Sequence, residues 1–199
     1  MVKIKICGIR RLEDISILNK YKPDYMGFVF AKSKRRVSHE LAEKLKSELS
    51  SDIISVGVFV DAPQDEILEL YEKGIIEIAQ LHGSESEDYI SYLKENTSDK
   101  LKIIKAIEMS EDEDLLKYDN SSADYLLLDS GKGSGKTFDW RLIRSDLKKD
   151  FFLAGGINSL NVKEAIEEFH PFAIDLSSSL ETDGYKDEKK IKEIMEVIH

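Results

Sequence analysis

Short apolar segments alternate along the chain with charged segments whose apolar residues recur at helical spacing. The apolar segments are rich in Val, Ile, Phe and Leu and have the length of β-strands. The predicted strands are 2–7, 25–30, 54–60, 76–81, 102–107, 124–128, 151–154 and 172–176. The predicted helices between them are 11–20, 39–49, 64–73, 86–95, 111–117, 139–148, 159–169 and 187–198.

This alternation predicts an α/β protein with parallel strands, because each helix carries the chain back to the same edge of the sheet. Eight units satisfy a closed (β/α)8 TIM barrel, with short loops for a chain of 199 residues. An open doubly wound sheet fits the same pattern, since the sequence does not show closure. No linker rich in Pro, Gly or Ser interrupts the pattern, so we expect residues 1–199 to form a single domain.

Three helix starts carry their own signals. Ser38 is suited to cap the helix that follows it, and Pro63 lies at or near a first helical turn. Either Asn158 or Ser159 is expected to cap the helix over 159–169.

Composition and charge limit the classes of partner that the protein is expected to bind. The formal net charge of −10 argues against a broad nucleic-acid interface, although backbone dipoles can still hold a small anion. The one cysteine, Cys7, fits a reducing compartment, and the sequence shows no signal peptide or membrane-spanning stretch. We therefore expect a cytoplasmic protein acting on a small molecule, with no membrane partner, as a monomer or a homodimer.

Candidate chemistry follows the predicted strands, because barrel enzymes place their sites at the carboxyl ends of the strands. The residues expected on that rim are Cys7, Gly8, the loop 32–36, Asp61, His82, Gly83, Glu108, Asp129, Gly155, Gly156 and Ser177 to Ser179. One rim thus gathers a thiol, several carboxylates and a basic loop.

The loops after strands 7 and 8 are suited to bind phosphate. Gly155 and Gly156 allow backbone N–H groups to approach an anion, and Ser177, Ser178 and Ser179 follow the neighbouring strand. Phosphate sites recur at this position of the fold. The alternative is that the glycine pair only forms a tight turn.

The other rim residues are ambiguous when each is taken alone. Cys7 could be a small buried apolar residue, and Asp129 could cap a turn. Arg35 or Arg36 could clamp a carboxylate bidentately or lie in a solvated turn. His82 could contact a ligand, act in acid–base chemistry or be satisfied within its loop.

Two other kinds of site are not supported. Gly135-Lys136-Thr137 is similar to the end of a P-loop, but the first glycine of that motif is replaced by Ser130. Residues 133–137 are kept as a possible active-site loop. No cluster of Cys, His and carboxylates has the spacing of metal ligands, so no metal is expected.

An ordered set of short motifs extends over nearly the whole chain. The motifs are Lys5-Ile6-Cys7-Gly8, Gly27-Phe28-Val29-Phe30, Ser33-Lys34-Arg35, Val56-Gly57-Val58-Phe59-Val60, Gln80-Leu81-His82-Gly83, Leu128-Asp129, residues 133–140, Leu153-Ala154-Gly155-Gly156 and Asp175-Leu176-Ser177-Ser178. Each motif is short, but their order along the chain is specific, and in this order they resemble the phosphoribosylanthranilate isomerase family.

The resemblance implies an isomerase of tryptophan biosynthesis. It implies an Amadori rearrangement of N-(5-phosphoribosyl)anthranilate to 1-(2-carboxyphenylamino)-1-deoxyribulose 5-phosphate without a cofactor. By the same resemblance, Cys7 is the general base and Asp129 the general acid, and Arg35 holds the substrate carboxylate.

The resemblance assigns the remaining motif residues to the substrate. Gly155, Gly156 and the serines Ser177, Ser178 and Ser179 would hold the phosphate, and His82 and Asp175 fall in motifs of the same family. Lys5 would assist a Cys7 thiolate if it points inward.

The sequence departs from the family at Ser179, where the family has glycine. Two rivals also remain open. Another phosphosugar isomerase, such as that of histidine biosynthesis, has aspartate where Cys7 stands. A non-catalytic barrel could keep the phosphate cradle without turnover.

Overall fold

Eight parallel strands form a closed barrel in the computed structural model, which describes residues 2–110, 114–129, 140–144 and 146–198. The strands are β1 (Lys3–Cys7), β2 (Tyr25–Val29), β3 (Ile54–Phe59), β4 (Ile78–Leu81), β5 (Lys102–Glu108), β6 (Tyr125–Asp129), β7 (Phe151–Leu153) and β8 (Ala173–Leu176). Neighbours in sequence pair in order, and β8 returns to β1 with Lys5 opposite Asp175. The predicted barrel is confirmed, and the open sheet is not what forms.

Six α-helices of the described residues cover the barrel. They are α1 (Leu12–Tyr21), α2 (His39–Ser47), α3 (Gln64–Glu72), α4 (Glu87–Asn96), α5 (Val162–Phe169) and α6 (Glu188–Ile198). As predicted, the Ser38 side chain accepts a hydrogen bond from the N–H of Leu41, and Pro63 directly precedes α3. Within the described part of the chain, no helix is long and apolar enough to cross a bilayer.

Two predicted α-helices are wrong where the structure describes them. Leu115–Asn120 and Trp140–Leu142 are 3₁₀ turns, while 111–113, 139 and 145 lie outside the described residues. The Asp114 carboxylate accepts a hydrogen bond from the N–H of Leu116, a local bond that competes with an α-helical turn.

The predicted cap of α5 is also wrong. The helix begins at Val162 after Asn161, not at Asn158 or Ser159. The Asn158 and Asn161 side chains accept hydrogen bonds from the N–H groups of Leu160 and Asn158, which holds the preceding segment in a turn.

A short hairpin lies between β8 and α6. It consists of β9 (Glu181–Thr182) and β10 (Tyr185–Lys186), and it follows a 3₁₀ turn over Ser178–Leu180. The sequence pattern gave no sign of this hairpin. It brings Glu181 and Lys186 back over the rim beside β1.

Buried side chains form two layers, one outside the barrel wall and one inside it. The larger layer lies between barrel and helices and includes Phe28, Phe59 and Leu81. The barrel interior is filled by an apolar cluster of Tyr25, Val56, Ile78, Ile104, Ala106, Leu127, Phe152, Ala154 and Ala173. The interior turns polar at the carboxyl ends of the strands, where the candidate chemistry lies.

Candidate active site

Cys7 is the last residue of β1, and it is buried, with an exposed fraction of 8%. Its thiol packs against Gly27 of β2, because a Cβ on Gly27 would lie 2.7 Å from Cys7 Sγ. Burial raises the pKa of the Cys7 thiol, Asp175 adds to this, and the cations Lys5 and Lys186 oppose it. The thiolate therefore depends on neighbouring positive charge.

Lys5 points into the barrel, which is the condition under which it was expected to assist a Cys7 thiolate. Its ammonium is fully buried and donates to both carboxylate oxygens of Asp175, at 2.9 and 3.0 Å. Burial opposes the charge of Lys5, but Asp175 and Cys7 outweigh it and raise the lysine pKa. Lys5 thus remains a fixed cation between the thiol and Asp175.

Asp175 connects the two sides of the rim. Burial raises the pKa of this carboxyl; Lys5 opposes the increase, whereas the charge of Asp129 adds to it. Since Asp175 also interacts with Cys7 and His82, these residues share one electrostatic environment. The sequence could not show that the thiol and the carboxylates face each other.

His82 lies beside Asp129 at the opposite side of the mouth. His82 Nε2 is 3.5 Å from Asp129 Oδ2, and the two side chains are 31% and 14% exposed. The other ring nitrogen of His82 is 3.3 Å from the amide nitrogen of Gln80, a residue that is 2% exposed. Gln80 Oε1 finds no hydrogen-bond partner within the described part of the chain.

The loops after β7 and β8 carry open backbone donors. Gly155 and Gly156 have φ of 79° and 71°, a left-handed conformation that favours glycine. Among the residues described, their N–H groups and that of Ser179 donate to no acceptor. Ser179 lies in a 3₁₀ turn and its φ is not positive, so the backbone at this position does not need the left-handed conformation that favours glycine. The two loops follow paired strands and therefore lie side by side.

Arg35 lies against the turn after Cys7. A Cβ on Gly8 would lie 2.5 Å from Arg35 Cδ, and Gly8 has a φ of 88°. The guanidinium donates from Nε and Nη2 to the two oxygens of Glu181, both at 2.7 Å. Arg36 is exposed and lines a separate cavity of about 270 Å³ with Phe30. Arg35, and not Arg36, is therefore the arginine beside the thiol.

Two residues near the site were missed from the sequence. Glu181 accepts from Arg35 and also from Lys186 Nζ at 2.9 Å, and that ammonium donates to the carbonyl of Ser177 at 3.0 Å. Ser177 in turn donates its hydroxyl to the carbonyl of Cys7 at 3.1 Å. Adjacent opposite charges in a polar segment are typical of a solvated surface, so no sequence signal marked this pair as buried. The expected loop over 133–137 lies outside the described residues.

The fold and the rim together define a barrel enzyme of the phosphosugar-isomerase class, with a thiol, carboxylates and open backbone amides at one end of a closed parallel barrel. Residues 4–197 match the family model for N-(5'-phosphoribosyl)anthranilate (PRA) isomerase. The chain belongs to this family.

Relatives in sequence and structure agree with this membership. The N-(5'-phosphoribosyl)anthranilate isomerase of Clostridium acetobutylicum is 46% identical, over 98% of this chain and 97% of that protein. A crystal structure of mutually generated monomers of the dimeric phosphoribosylanthranilate isomerase from Thermotoga maritima is 36% identical in sequence. Its TM-score is 0.86, over 99% of this chain and 98% of that one. A structure in complex with reduced 1-(o-carboxyphenylamino)-1-deoxyribulose 5-phosphate is 36% identical, with a TM-score of 0.86 over 98% and 97%.

The family match confirms the resemblance drawn from the motifs, and with it the predicted class of enzyme. The expected activity, isomerisation of phosphoribosylanthranilate in tryptophan biosynthesis, is confirmed at the same time.

Proposed function

We propose that Cys7 and Asp129 are the general base and general acid of the isomerisation. Asp129 protonates the furanose ring oxygen, the bond from that oxygen to C1′ breaks, and an iminium forms between C1′ and the anthranilate nitrogen. Cys7 then takes the proton from C2′, and the electron pair moves to the iminium nitrogen. The resulting enolamine tautomerises to the ketone.

The observation that carries this assignment is the placement of the two groups on one rim: Cys7 is the last residue of β1 and Asp129 the last residue of β6, so both lie at the carboxyl-terminal mouth of the closed parallel barrel. Asp175 of β8 interacts electrostatically with both of them. A base and an acid on opposite sides of one bound sugar are what the rearrangement needs, because the two proton transfers occur at different atoms. His82, 3.5 Å from Asp129, supports orientation of that carboxyl and contact with the substrate.

Lys5 and Lys186 favour the thiolate form of Cys7. Burial raises the thiol pKa above its ordinary value, and the charges of both lysines oppose that increase without reversing it. The thiolate that removes the C2′ proton is therefore stabilised by two neighbouring lysines, Lys5 inside the barrel and Lys186 on the hairpin.

The remaining rim residues are assigned to the substrate's two acidic ends. The open amides of Gly155, Gly156 and Ser179, with the neighbouring Ser177 and Ser178, suit a phosphate. Arg35 is assigned to the anthranilate carboxylate and Asp175 to the sugar region next to Lys5. The backbone amides at the phosphate and Arg35 at the carboxylate would together fix the ligand at both ends.

We further infer a cytoplasmic enzyme in which residues 1–199 act as one catalytic domain, as a monomer or a homodimer. The single, buried Cys7 supports a reducing compartment. The strongly acidic composition supports a small-molecule substrate over a nucleic acid.

Conversion of freshly made phosphoribosylanthranilate, followed by the loss of its fluorescence, tests the assignment. Cys7→Ser and Asp129→Asn are each expected to lower kcat by at least about 10²-fold, the usual contribution of a general acid or base. Glu108→Gln is the matched control, because Glu108 is an exposed carboxylate opposite Asp129 on the neighbouring strand. Wild-type rates in Cys7→Ser or Asp129→Asn would remove that residue from its role.

A further inference from the structure

Arg35 has two edges that can each hold a carboxylate, and the structure fills one of them. A guanidinium offers a side edge of Nε and Nη2 and an end edge of Nη1 and Nη2. Glu181 takes the side edge with two bonds of 2.7 Å. Within the described residues Nη1 has no partner, and the side chain is 28% exposed. The end edge is thus the one available to a ligand.

Glu181 is itself held as an anion. Its side chain is 9% exposed, and Lys186, whose side chain is 1% exposed, donates to the same carboxylate. Burial opposes ionisation of Glu181, but the hydrogen bonds from Arg35 and Lys186 outweigh burial and lower its pKa. A buried carboxylate with two cationic partners does not leave its place at low cost.

The hairpin that carries Glu181 is fixed to the rim. Tyr185 contacts two guanidinium groups, whose Cζ atoms in Arg10 and Arg11 lie 4.4 and 4.2 Å from the centre of its ring. Arg10 also donates to the carbonyl of Gly184 and, at 2.9 Å, to that of Lys34 in the loop carrying Arg35. The hairpin and this loop therefore form one connected unit.

We propose that Glu181 is a positioning residue for carboxylate recognition: by occupying the side edge of Arg35, it directs the end edge of the guanidinium toward the substrate carboxylate. This inference rests on the proposed function, because it requires Arg35 to bind that carboxylate. The structure also defines the alternative, in which Glu181 imitates the ligand and is displaced by it. The two differ in sign, since positioning makes Glu181 help binding and imitation makes it compete.

Titration with two ligands separates these cases. The first is the reduced carboxyphenylamino deoxyribulose phosphate, and the second is its phenylamino counterpart without the carboxyl group. Glu181→Gln is expected to weaken the first by about tenfold, since a charge-assisted bidentate contact loses its alignment, and to leave the second within about twofold. KM for phosphoribosylanthranilate should rise in parallel while kcat changes little.

Three controls make the result decisive. Asp187→Asn changes a carboxylate of the same segment that bonds Thr182 and the start of α6, and it should leave both affinities unchanged. Glu181→Gln with Lys186→Met removes the buried cation as well, so it gives the same ligand test if the single variant fails to fold. Arg35→Ala should abolish the preference for the carboxyl ligand.

Each other outcome overturns a defined part of the proposal. Tighter or unchanged binding of the carboxyl ligand by Glu181→Gln would show imitation or no role, and an equal loss for both ligands would show a merely structural one. If Arg35→Ala keeps the preference for the carboxyl ligand, the role of Arg35 in the proposed function fails, and the inference about Glu181 fails with it.

Discussion

Two buried lysine–carboxylate pairs lie on opposite sides of the barrel wall, and their surroundings differ. Lys5 and Asp175 meet inside the barrel, on β1 and β8, at 2.9 Å. Lys105 of β5 points outward and donates to Glu85 at 2.8 Å and to the carbonyl of Gly83 at 2.7 Å. Both pairs are close to the carboxyl ends of the strands.

The outer pair is fully satisfied. Glu85 also accepts hydrogen bonds from the backbone N–H groups of Asp61 and Gly83, both at 2.9 Å. Burial raises the pKa of Glu85, but the bonds from Lys105 and the backbone outweigh it and lower that pKa. This arrangement is typical of a structural ion pair that ties together the loops after β3 and β4.

The surroundings of the inner pair, by contrast, disfavour the charged form of Asp175. Burial and the charge of Asp129 raise the pKa of Asp175, and among the described residues Lys5 is the only hydrogen-bond donor to its two carboxylate oxygens. The same lysine also faces Cys7. Two pairs of one composition are thus separated by their surroundings: backbone donors surround the structural pair, and titratable groups surround the pair at the site.

Breaking the inner pair is expected to have the largest effect. Lys5→Met leaves Asp175 buried without its cation, so we expect a loss of about 3–5 kcal/mol in the free energy of unfolding. It also removes a cation from Cys7, so kcat should fall by at least about 10²-fold. Denaturant unfolding and turnover measure the two effects.

A double change separates these two losses. Lys5→Met with Asp175→Leu replaces both charges by apolar groups and is expected to recover most of the stability, because no unpaired charge stays buried. Activity should stay low. Recovery of turnover together with stability would show that the inner pair has a structural role alone.

The contrast between the pairs also explains what the sequence could predict. In β1, Lys3 and Lys5 alternate with Ile4 and Ile6, which in a single sheet would place the lysines in solvent. In a closed barrel the isoleucines face the helices and Lys5 faces the interior. The period of the pattern predicts the strands, but only closure decides which face is the site.

Residues distant in sequence show the same limit. Glu181 and Lys186 read as surface charges, and their burial depends on a hairpin that the pattern did not predict. The pairing of Gly27 with Cys7, by contrast, follows from two adjacent parallel strands. The motifs therefore identified the catalytic candidates, whereas the residues that position them required the folded chain.

Breaking the outer pair is expected to affect stability alone. Lys105→Met leaves Glu85 buried among backbone donors without its cation, and the free energy of unfolding should fall by about 3–5 kcal/mol. Since Cys7 and Asp129 face the opposite side of the barrel wall, kcat at a temperature where the variant is folded should stay within about threefold. A loss of kcat as large as that of Lys5→Met would remove the distinction between the two pairs.

The smallest expected effect is a change in how stability depends on pH. The folded-state pKa of Glu85 is lowered, so this residue contributes stability above its unfolded pKa, and that stability is lost as the pH falls through the folded value. Lys105→Met with Glu85→Leu removes this proton uptake, so its unfolding free energy should fall less steeply than that of the wild type below about pH 4.3, the ordinary glutamate value. Urea unfolding at pH 7, 5, 4 and 3 measures both slopes. Asp175 has a raised folded-state pKa, so its contribution is present at low pH and is lost as the pH rises through that pKa. Equal slopes in the wild type and the outer-pair variant would show that Glu85 is not held as an anion by its partners, and the structural role of the outer pair would fail.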